Sequence, residues 1–455
     1  MTLLAYPEQL ALQPLSSPPA TTVRVPGSKS LTNRALVLAA LAEPSPLGKA
    51  SVIDGALQSE DTEIMVDCLR RLGIPVEADW EQERLTVPCV PCTSWAREAD
   101  LFVGNSGTTM RFLTALVTLG PGRYCLDGIP RMRERPIADL LIALRQLGVR
   151  AESERANGCP PVVVTGGTWR GGTARLKGDV SSQFLSGLMM VAPRAEQDVT
   201  LQVEGGLVSV PYVRMTAQMM AESGVQLSVA PALEGPHEAP TNLCIRVPGR
   251  QHYPARHYRI EPDASAASYF FAAAAITGGQ VTVPGTWHPR MQGDLEFLRL
   301  LEQMGCSVRH SSAGITVRGG PRLQGIDADM NAISDTVMTL AAVASFAEGQ
   351  TTIRNVAHVR HKESDRLHAL AVELGKVGIA VAEHPDGLTL RSGPLHGAAL
   401  DTYNDHRLAM SLALLGLRVP GVVLRHPGCV AKTYPRFFAD LELLRTPAPP
   451  ERGHP

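Results

Sequence analysis

Five stretches of this 455-residue chain repeat one pattern: an apolar helical period, a glycine, then a β-branched run. They are MVDCLRRLGIPVEA with Gly73, LLIALRQLGVRAES with Gly148, AQMMAESGVQLSV with Gly224, EFLRLLEQMGCSVRH with Gly305 and LAVELGKVGIAVAE with Gly378. A glycine just past the last helical turn takes the left-handed conformation that closes a helix, and the next residues begin a strand. The glycines recur about every 75 residues, so the chain is an array of about six small α/β modules. That is too much chain for one core, and two domains of three modules each are expected. The boundary is expected near YRIEPDASAASYFFAAAA, after the Pro-rich stretches PALEGPHEAP and VPGRQHYPARH, with Asp263 or Ser265 capping the helix that follows. The Pro-rich tail TPAPPERGHP is expected to be disordered.

Composition excludes several classes. Net charge is −1, so no broad basic surface for nucleic acid or anionic lipid is expected. No apolar run reaches the roughly 18 residues of a membrane span. The first 22 residues hold no Lys or Arg, which argues against a signal or transit peptide and for a cytoplasmic enzyme. Of the eight cysteines only Cys89 and Cys92 form a CxxC, without a second pair or a nearby histidine, so free thiols are expected rather than zinc. Only six of the 43 basic residues are lysine: Lys29, Lys49, Lys177, Lys362, Lys376 and Lys432. A lysine inside a motif is therefore informative, because Arg cannot replace it where a compact ammonium or a movable proton is needed.

Several helix starts carry polar residues that fit either a plain cap or an anion site. VPGSKSLTNRA places Lys29, three hydroxyls and Arg34 around a turn that opens a helix. Free backbone N–H groups and the helix dipole favour an anion there. It is not a nucleotide P-loop, since Ser28 precedes Lys29 and Val23 stands where the first glycine belongs. GNSGTTMRFLTALVTLG offers Asn105, Ser106, Gly107, Thr108 and Thr109, with Gly107 allowing close approach to the backbone. DGIPRMRERPI sets Arg131, Arg133 and Arg135 before Pro136, which suits a first helical position; they are either a solvated face or a bidentate anion clamp. Ser181, Ser182 and Gln183 open another helix, and Asp335 in ISDTVMTLAAVASF is either an N-cap or a carboxylate aimed into a cleft. RHKESDRLHAL brings Lys362, Glu363, Asp365 and Arg366, YNDHRLAMSLAL brings Asp405, His406 and Arg407, and GCVAKTYPRFF brings Lys432. About seven such starts, holding three of the six lysines, would make one strongly positive pocket for small polyanions if two domains turned them inward. No metal constellation and no dinucleotide fingerprint appears, so no cofactor is expected.

Together PGSKSLTNRA, GNSGTTMR, DGIPRMRERPI, SSQFLSGL, HKESDRL, YNDHRLAMSLAL and AKTYPRFF resemble the EPSP synthase family, in the family's order, from about residue 10 to about residue 440. The resemblance implies an α/β (α+β) enolpyruvyl transferase-like fold of two domains, each three βαβαββ units in pseudo-threefold array. It implies a first lobe of residues 28–260 and a second of 1–27 plus 261–455, with the active site in the cleft between them and a disordered tail at 445–455. It implies transfer of the enolpyruvyl group of phosphoenolpyruvate to the 5-hydroxyl of shikimate 3-phosphate through a tetrahedral intermediate. Carried over by motif, shikimate 3-phosphate would meet Lys29, Ser30, Arg34, Ser181, Ser182, Gln183, Ser209, Tyr212, Asp335, His358 and Lys362. Phosphoenolpyruvate would meet Lys29, Asn105, Gly107, Arg135, Gln183, Glu363, Arg366, Arg407 and Lys432. Asp335 would take the hydroxyl proton, with Glu363 and Lys29 as partners in proton transfer. The resemblance also implies a monomer without cofactor, partnered by neither nucleic acid nor membrane, and glyphosate as an occupant of the phosphoenolpyruvate site.

The sequence departs from the family's usual residues at His358 (commonly Asn), Val210 (commonly Lys), Phe112 (commonly Pro), and Ser106 and Thr109 (commonly Ala). Phe112 implies altered glyphosate sensitivity. Two rival readings are a sister enolpyruvyl transferase acting on UDP-N-acetylglucosamine, which needs a reactive loop cysteine, and a non-catalytic anion-binding or RNA-processing module on the same repeat.

Overall fold

The computed structural model describes residues 6–167, 169–233, 241–288 and 291–445. Twelve α-helices occur among them. In chain order they are α1 (Lys29–Ala40), α2 (Glu60–Arg71), α3 (Gly107–Leu116), α4 (Ala138–Gln146), α5 (Ser182–Val191) and α6 (Val210–Glu222). Then follow α7 (Ala264–Thr277), α8 (Phe297–Gln303), α9 (Val337–Ala344), α10 (Arg366–Lys376), α11 (His406–Ala413) and α12 (Phe437–Glu442).

The helices alternate in character. Odd-numbered helices are buried along almost their whole length; in α3, α9 and α11 every residue is buried. Past their polar starts their sequences are mostly apolar, as a central helix requires. The even-numbered α2, α4, α6, α8 and α10 lie nearer the surface, and each is followed by a repeat glycine with positive φ. Gly73, Gly148, Gly224, Gly305 and Gly378 have φ between 81° and 103°. The period read from sequence therefore marks the second helix of five of the units.

Each unit is a small sheet with one parallel pair followed by antiparallel strands. In the second unit Glu98–Phe102 runs parallel to Arg123–Asp127, which pairs antiparallel with Val162–Thr165, itself paired with Arg150–Ser153. With α3 and α4 between the strands, this is the βαβαββ order. Two further units repeat it unbroken, with first strands Gly172–Lys177 and Asp327–Asp329. The remaining three close by exchange of distant strands. His257–Arg259 completes the sheet of Ala50–Asp54, Ala20–Thr22 completes that of Gln280–Val283, and Gln9–Ala11 completes that of Val423–Arg425.

The units bury two separate apolar cores. One gathers residues from Leu31 to Tyr258 with Met291; the other takes Leu12, Val23 and Val25 together with residues from Ala266 to Leu444. In the first, α3 packs on α1 and α5; in the second, α9 packs on α7 and α11. The chain passes between the cores at two adjacent points. Gly27 and Pro262 form an antiparallel bridge, Ser28 N donates to Glu261 O at 2.8 Å, and Asp263 N donates to Pro26 O at 2.8 Å. Asp263 is the N-cap of α7, accepting from Ala266 N. Pro136 is not the first helical residue expected: α4 begins at Ala138, with Ile137 at its N-cap. Most of PALEGPHEAP and the tail TPAPPERGHP lie outside the described residues.

Candidate active site

The starts of α1, α2, α3, α5, α10 and α11 meet in one cleft between the two cores. Its walls include Lys29, Asp61, Gly107, Thr108, Arg135, Gln183, Asp335, Lys362, Glu363, Arg366, His406, Arg407 and Lys432. Six of these are Lys or Arg and three are carboxylates, in a chain whose net charge is −1. The cavity left between them is about 30 Å³, room for about two waters.

A chain of ion pairs fills the cleft. The Lys432 ammonium donates to Asp61 at 2.8 Å and lies 3.2 Å from Glu363. The other Asp61 oxygen lies 3.4 Å from the Lys29 ammonium. Glu363 accepts from Arg366 at 2.9 Å and stands 3.9 Å from Arg135. Arg366 also lies 3.5 Å from Asp335, which accepts from Arg407 at 2.5 Å. Asp405 is buried behind these groups. Its carboxylate accepts from Arg366 Nε at 2.8 Å, from the Ser364 hydroxyl at 3.0 Å and from the backbone N–H of Arg407 at 2.9 Å. It caps α11 and orients the Arg366 guanidinium at once.

Burial and mutual charge set the ionisation states. Burial lowers the Lys29 ammonium, with Asp61 opposing and Lys432 and Arg407 adding to the fall. Burial also brings Lys362 down to about 8, against the pull of Asp335. For Glu363 burial works upward, but Lys432, Arg366 and Arg135 outweigh it and hold the carboxyl well below its usual range. Asp335 behaves likewise: burial is overcome by Arg407, Lys362, Arg366 and Lys29, so it stays ionised. Burial pushes His358 down to about 3, reinforced by Lys362, so its ring is neutral.

The two readings left open for Asp335 separate here. Thr336 occupies the N-cap of α9, and the Asp335 carboxylate turns into the cleft, where the Tyr212 hydroxyl donates to it at 3.3 Å. The three arginines of DGIPRMRERPI also separate. Arg135 enters the cleft and donates to the Asn105 carbonyl at 3.1 Å, while Arg133 turns back to Asp127 in its own unit. Gly107 opens α3 against Arg135. A Cβ at this position would lie 2.4 Å from Arg135 Nη2 and 3.0 Å from Arg111 Nη1. Ser106 caps the same helix, accepting from Thr109 N, so cap and cleft wall coincide.

Other expected residues stand beside the ion-pair chain. Gln183 Nε2 donates to the Thr108 hydroxyl at 3.2 Å on the cleft wall, and Ser181 caps α5, whose first residue is Ser182. Ser30 and Tyr212 line an adjoining hollow with Asp263, Ser265, Gln292 and Asp294. Arg34 is buried behind it, donating to Thr216 Oγ1 at 2.7 Å, to Ser30 O at 2.9 Å and to Tyr212 O at 3.1 Å. Its guanidinium lies over the Phe112 ring at 5.2 Å. Ser209 has φ 54° and its hydroxyl is 3.2 Å from that of Ser334, across the two cores. His358 is 5% exposed, and its Nε2 has no hydrogen-bond partner in the structure.

Asp61 was not legible in the sequence. An acid in the first turn of a helix is favoured by the dipole whatever its role. Asp294 was missed for a similar reason, although it accepts from Tyr212 at 3.2 Å and from the Ser265 hydroxyl.

The family model for EPSP synthase (3-phosphoshikimate 1-carboxyvinyltransferase) matches residues 16–441. The chain is 46% identical over 431 residues to a 3-phosphoshikimate 1-carboxyvinyltransferase of Nostoc punctiforme, covering 95% of this chain and 98% of that one. It is 42% identical to the chloroplastic 3-phosphoshikimate 1-carboxyvinyltransferase of Arabidopsis thaliana, covering 96% and 84%. Its fold is similar to that of the EPSP synthase of Acinetobacter baumannii, with a TM-score of 0.77, 24% identity and 95% and 97% of the two chains covered. The enolpyruvyl transferase NikO of Streptomyces tendae shares the fold with a TM-score of 0.71 at 20% identity, covering 96% and 97%.

Proposed function

This chain belongs to the EPSP synthase family and carries the enolpyruvyl group of phosphoenolpyruvate to shikimate 3-phosphate; we propose that it does so in the cationic cleft between its two cores. One observation carries this reading: helix starts from both cores and six cationic side chains face one small cleft against three carboxylates. Two substrates that together bring two phosphates and two carboxylates match that excess of positive charge. The lobes are residues 28–260 and residues 1–27 plus 261–455, hinged where Gly27 and Pro262 meet.

Shikimate 3-phosphate is held by Lys29, Ser30, Arg34, Ser181, Ser182, Gln183, Ser209, Tyr212, His358 and Lys362. Phosphoenolpyruvate is held by Lys29, Asn105, Gly107, Arg135, Gln183, Arg366, Arg407 and Lys432. The cleft in its present form is closed by protein ion pairs, so the lobes part to admit these acids and then exclude water around them. Substrate anions take over cations that Asp61, Glu363 and Asp335 now share.

The 5-hydroxyl attacks C2 of phosphoenolpyruvate while Asp335 takes its proton. Arginines hold Asp335 ionised, which suits a base that must be charged before the step. C3 of the enol phosphate accepts a proton in the same addition. Lys29 suits that donation, because burial weakens its hold on the proton. Glu363 joins in once Lys432, Arg366 and Arg135 turn to the substrate and its carboxyl rises. Loss of a C3 proton and of phosphate from the tetrahedral intermediate then regenerates the double bond. No cysteine is among the described residues lining the cleft, and burial pushes the nearby Cys429 thiol up to about 12, which disfavours the sister transferase's chemistry.

The same reading makes the protein a cytoplasmic monomer that glyphosate inhibits at the phosphoenolpyruvate site. Among the described residues no helix is long and apolar enough to cross a membrane. A coupled assay of phosphate release tests the reading: turnover is expected only with both shikimate 3-phosphate and phosphoenolpyruvate. A requirement for UDP-N-acetylglucosamine, or no turnover with any pair, overturns it.

A further inference from the structure

We infer that Arg131 is a positioning residue that fastens the first lobe to the backbone of the Lys362–Glu363 segment, coupling closure of the cleft to the presentation of those two side chains. The inference rests on the proposed function, since it assigns Lys362 and Glu363 work in the reaction.

Arg131 stands just before the short turn Met132–Glu134, on the loop that also carries Arg135. Its guanidinium leaves that lobe and reaches three main-chain carbonyls of the other. Nε donates to Glu363 O at 3.1 Å and lies 3.3 Å from Lys362 O; Nη2 donates to Lys362 O at 3.1 Å and lies 3.5 Å from Arg360 O. Nη1 is steadied by Glu134 at 2.9 Å. The acceptors lie at the end of the 3₁₀ turn Ala357–His361, which Lys362 breaks with φ −86° and ψ −145°. Carbonyls at the end of a helical turn lack partners within it and favour a nearby cation. A planar fork with five donors can engage several at once in a fixed geometry, which an ammonium's three rotatable donors do not impose.

The loop thus grips one segment twice. Arg131 holds the main chain of Glu363 while Arg135, four residues on, stands 3.9 Å from its carboxylate. Arg133, between them, faces Asp127 in its own lobe. Residues of alternating direction on one loop therefore separate latch and cleft contact from local support. Because every acceptor of the latch belongs to the opposite lobe, the latch forms only when the lobes meet. When it forms, it fixes the peptide from which Lys362 and Glu363 project.

The test compares wild type, Arg131→Met, Arg131→Lys and Arg133→Met by phosphate release and by small-angle scattering with and without both substrates. Arg131→Met should lose about 10- to 100-fold in kcat, the scale of a misplaced catalytic group, and should be less compact than wild type, with a larger radius of gyration both without and with substrates. Arg131→Lys should recover part of both, and Arg133→Met should match wild type in both. Arg131→Met with wild-type kcat and compaction overturns the inference, as does a loss of kcat with compaction intact. Should Arg131→Met fail to fold by circular dichroism, Arg131→Lys decides: wild-type kcat and compaction there overturn it. An inactive wild type instead removes the proposed function beneath it.

Discussion

The Lys432 ammonium donates to the Asp61 carboxylate at 2.8 Å, joining side chains 371 positions apart from opposite sides of the cleft. The same carboxylate lies 3.4 Å from Lys29, so one anion separates two buried cations. Breaking a buried pair by removing one partner costs about 3–5 kcal/mol when the structure cannot relax. On the proposed function the lobes part, which lets water reach the lysines. Asp61→Asn should therefore open the free protein, giving a larger radius of gyration by small-angle scattering, and lower kcat/KM. Identical scattering and kinetics would refute the role of Asp61 as a closing contact.

Lys29→Met should abolish phosphate release while leaving circular dichroism and melting close to wild type. The ammonium faces the cleft, whereas the helix start it occupies is held by its backbone N–H on Asp263 at 3.0 Å. Retained turnover would count against its place in binding and proton transfer.

Lys362 gives a pH prediction. Burial brings its ammonium to about 8, with Asp335 resisting. Its charge is present below that pH and is lost as pH rises through it, so KM for shikimate 3-phosphate should climb on the alkaline side. The unfolded chain keeps its proton to about 10.4. Between these values the unfolded state binds more protons, so this group's burden on stability eases as pH rises. Lys362→Arg should flatten the alkaline rise in KM, since a guanidinium stays charged. An equally steep rise in the variant would assign the titration elsewhere.

Gly107→Ala should raise KM for phosphoenolpyruvate more than KM for shikimate 3-phosphate. The added methyl group would sit 2.4 Å from Arg135 Nη2, and that side chain must move aside. Equal effects on both Michaelis constants would argue that the helix start, rather than Arg135, had been disturbed.

Phe112 bears on glyphosate. Its ring is fully buried beneath Arg34, at 5.2 Å, in the third helix. A proline there removes a helical hydrogen bond and the ring together. Glyphosate inhibition constants are expected to differ between wild type and Phe112→Pro. Identical constants would dismiss Phe112 as a determinant of sensitivity.

The repeat was legible because it is local: a helix, its closing glycine and the next strand are set by neighbouring residues. Helix starts rich in Lys, Arg, Ser and Thr were legible for the same reason. What the sequence could not say was where each charge points. Arg131, Arg133 and Arg135 are alike by composition, yet one grips the opposite lobe's backbone, one stays at home and one enters the cleft. Asp335 reads as a cap until Thr336 takes that position and Arg407 draws the carboxylate inward. Asp61 looks like an ordinary first-turn acid and Asp405 like an ordinary cap until their partners arrive from distant segments.

The sequence by itself determined an α/β array of repeated modules whose helix starts collect cationic and hydroxyl side chains, because periodicity and capping act within a few residues. Only the tertiary structure decided which carboxylate meets which cation. Those partners lie up to hundreds of residues apart, and their pairing depends on how two cores face each other across the cleft.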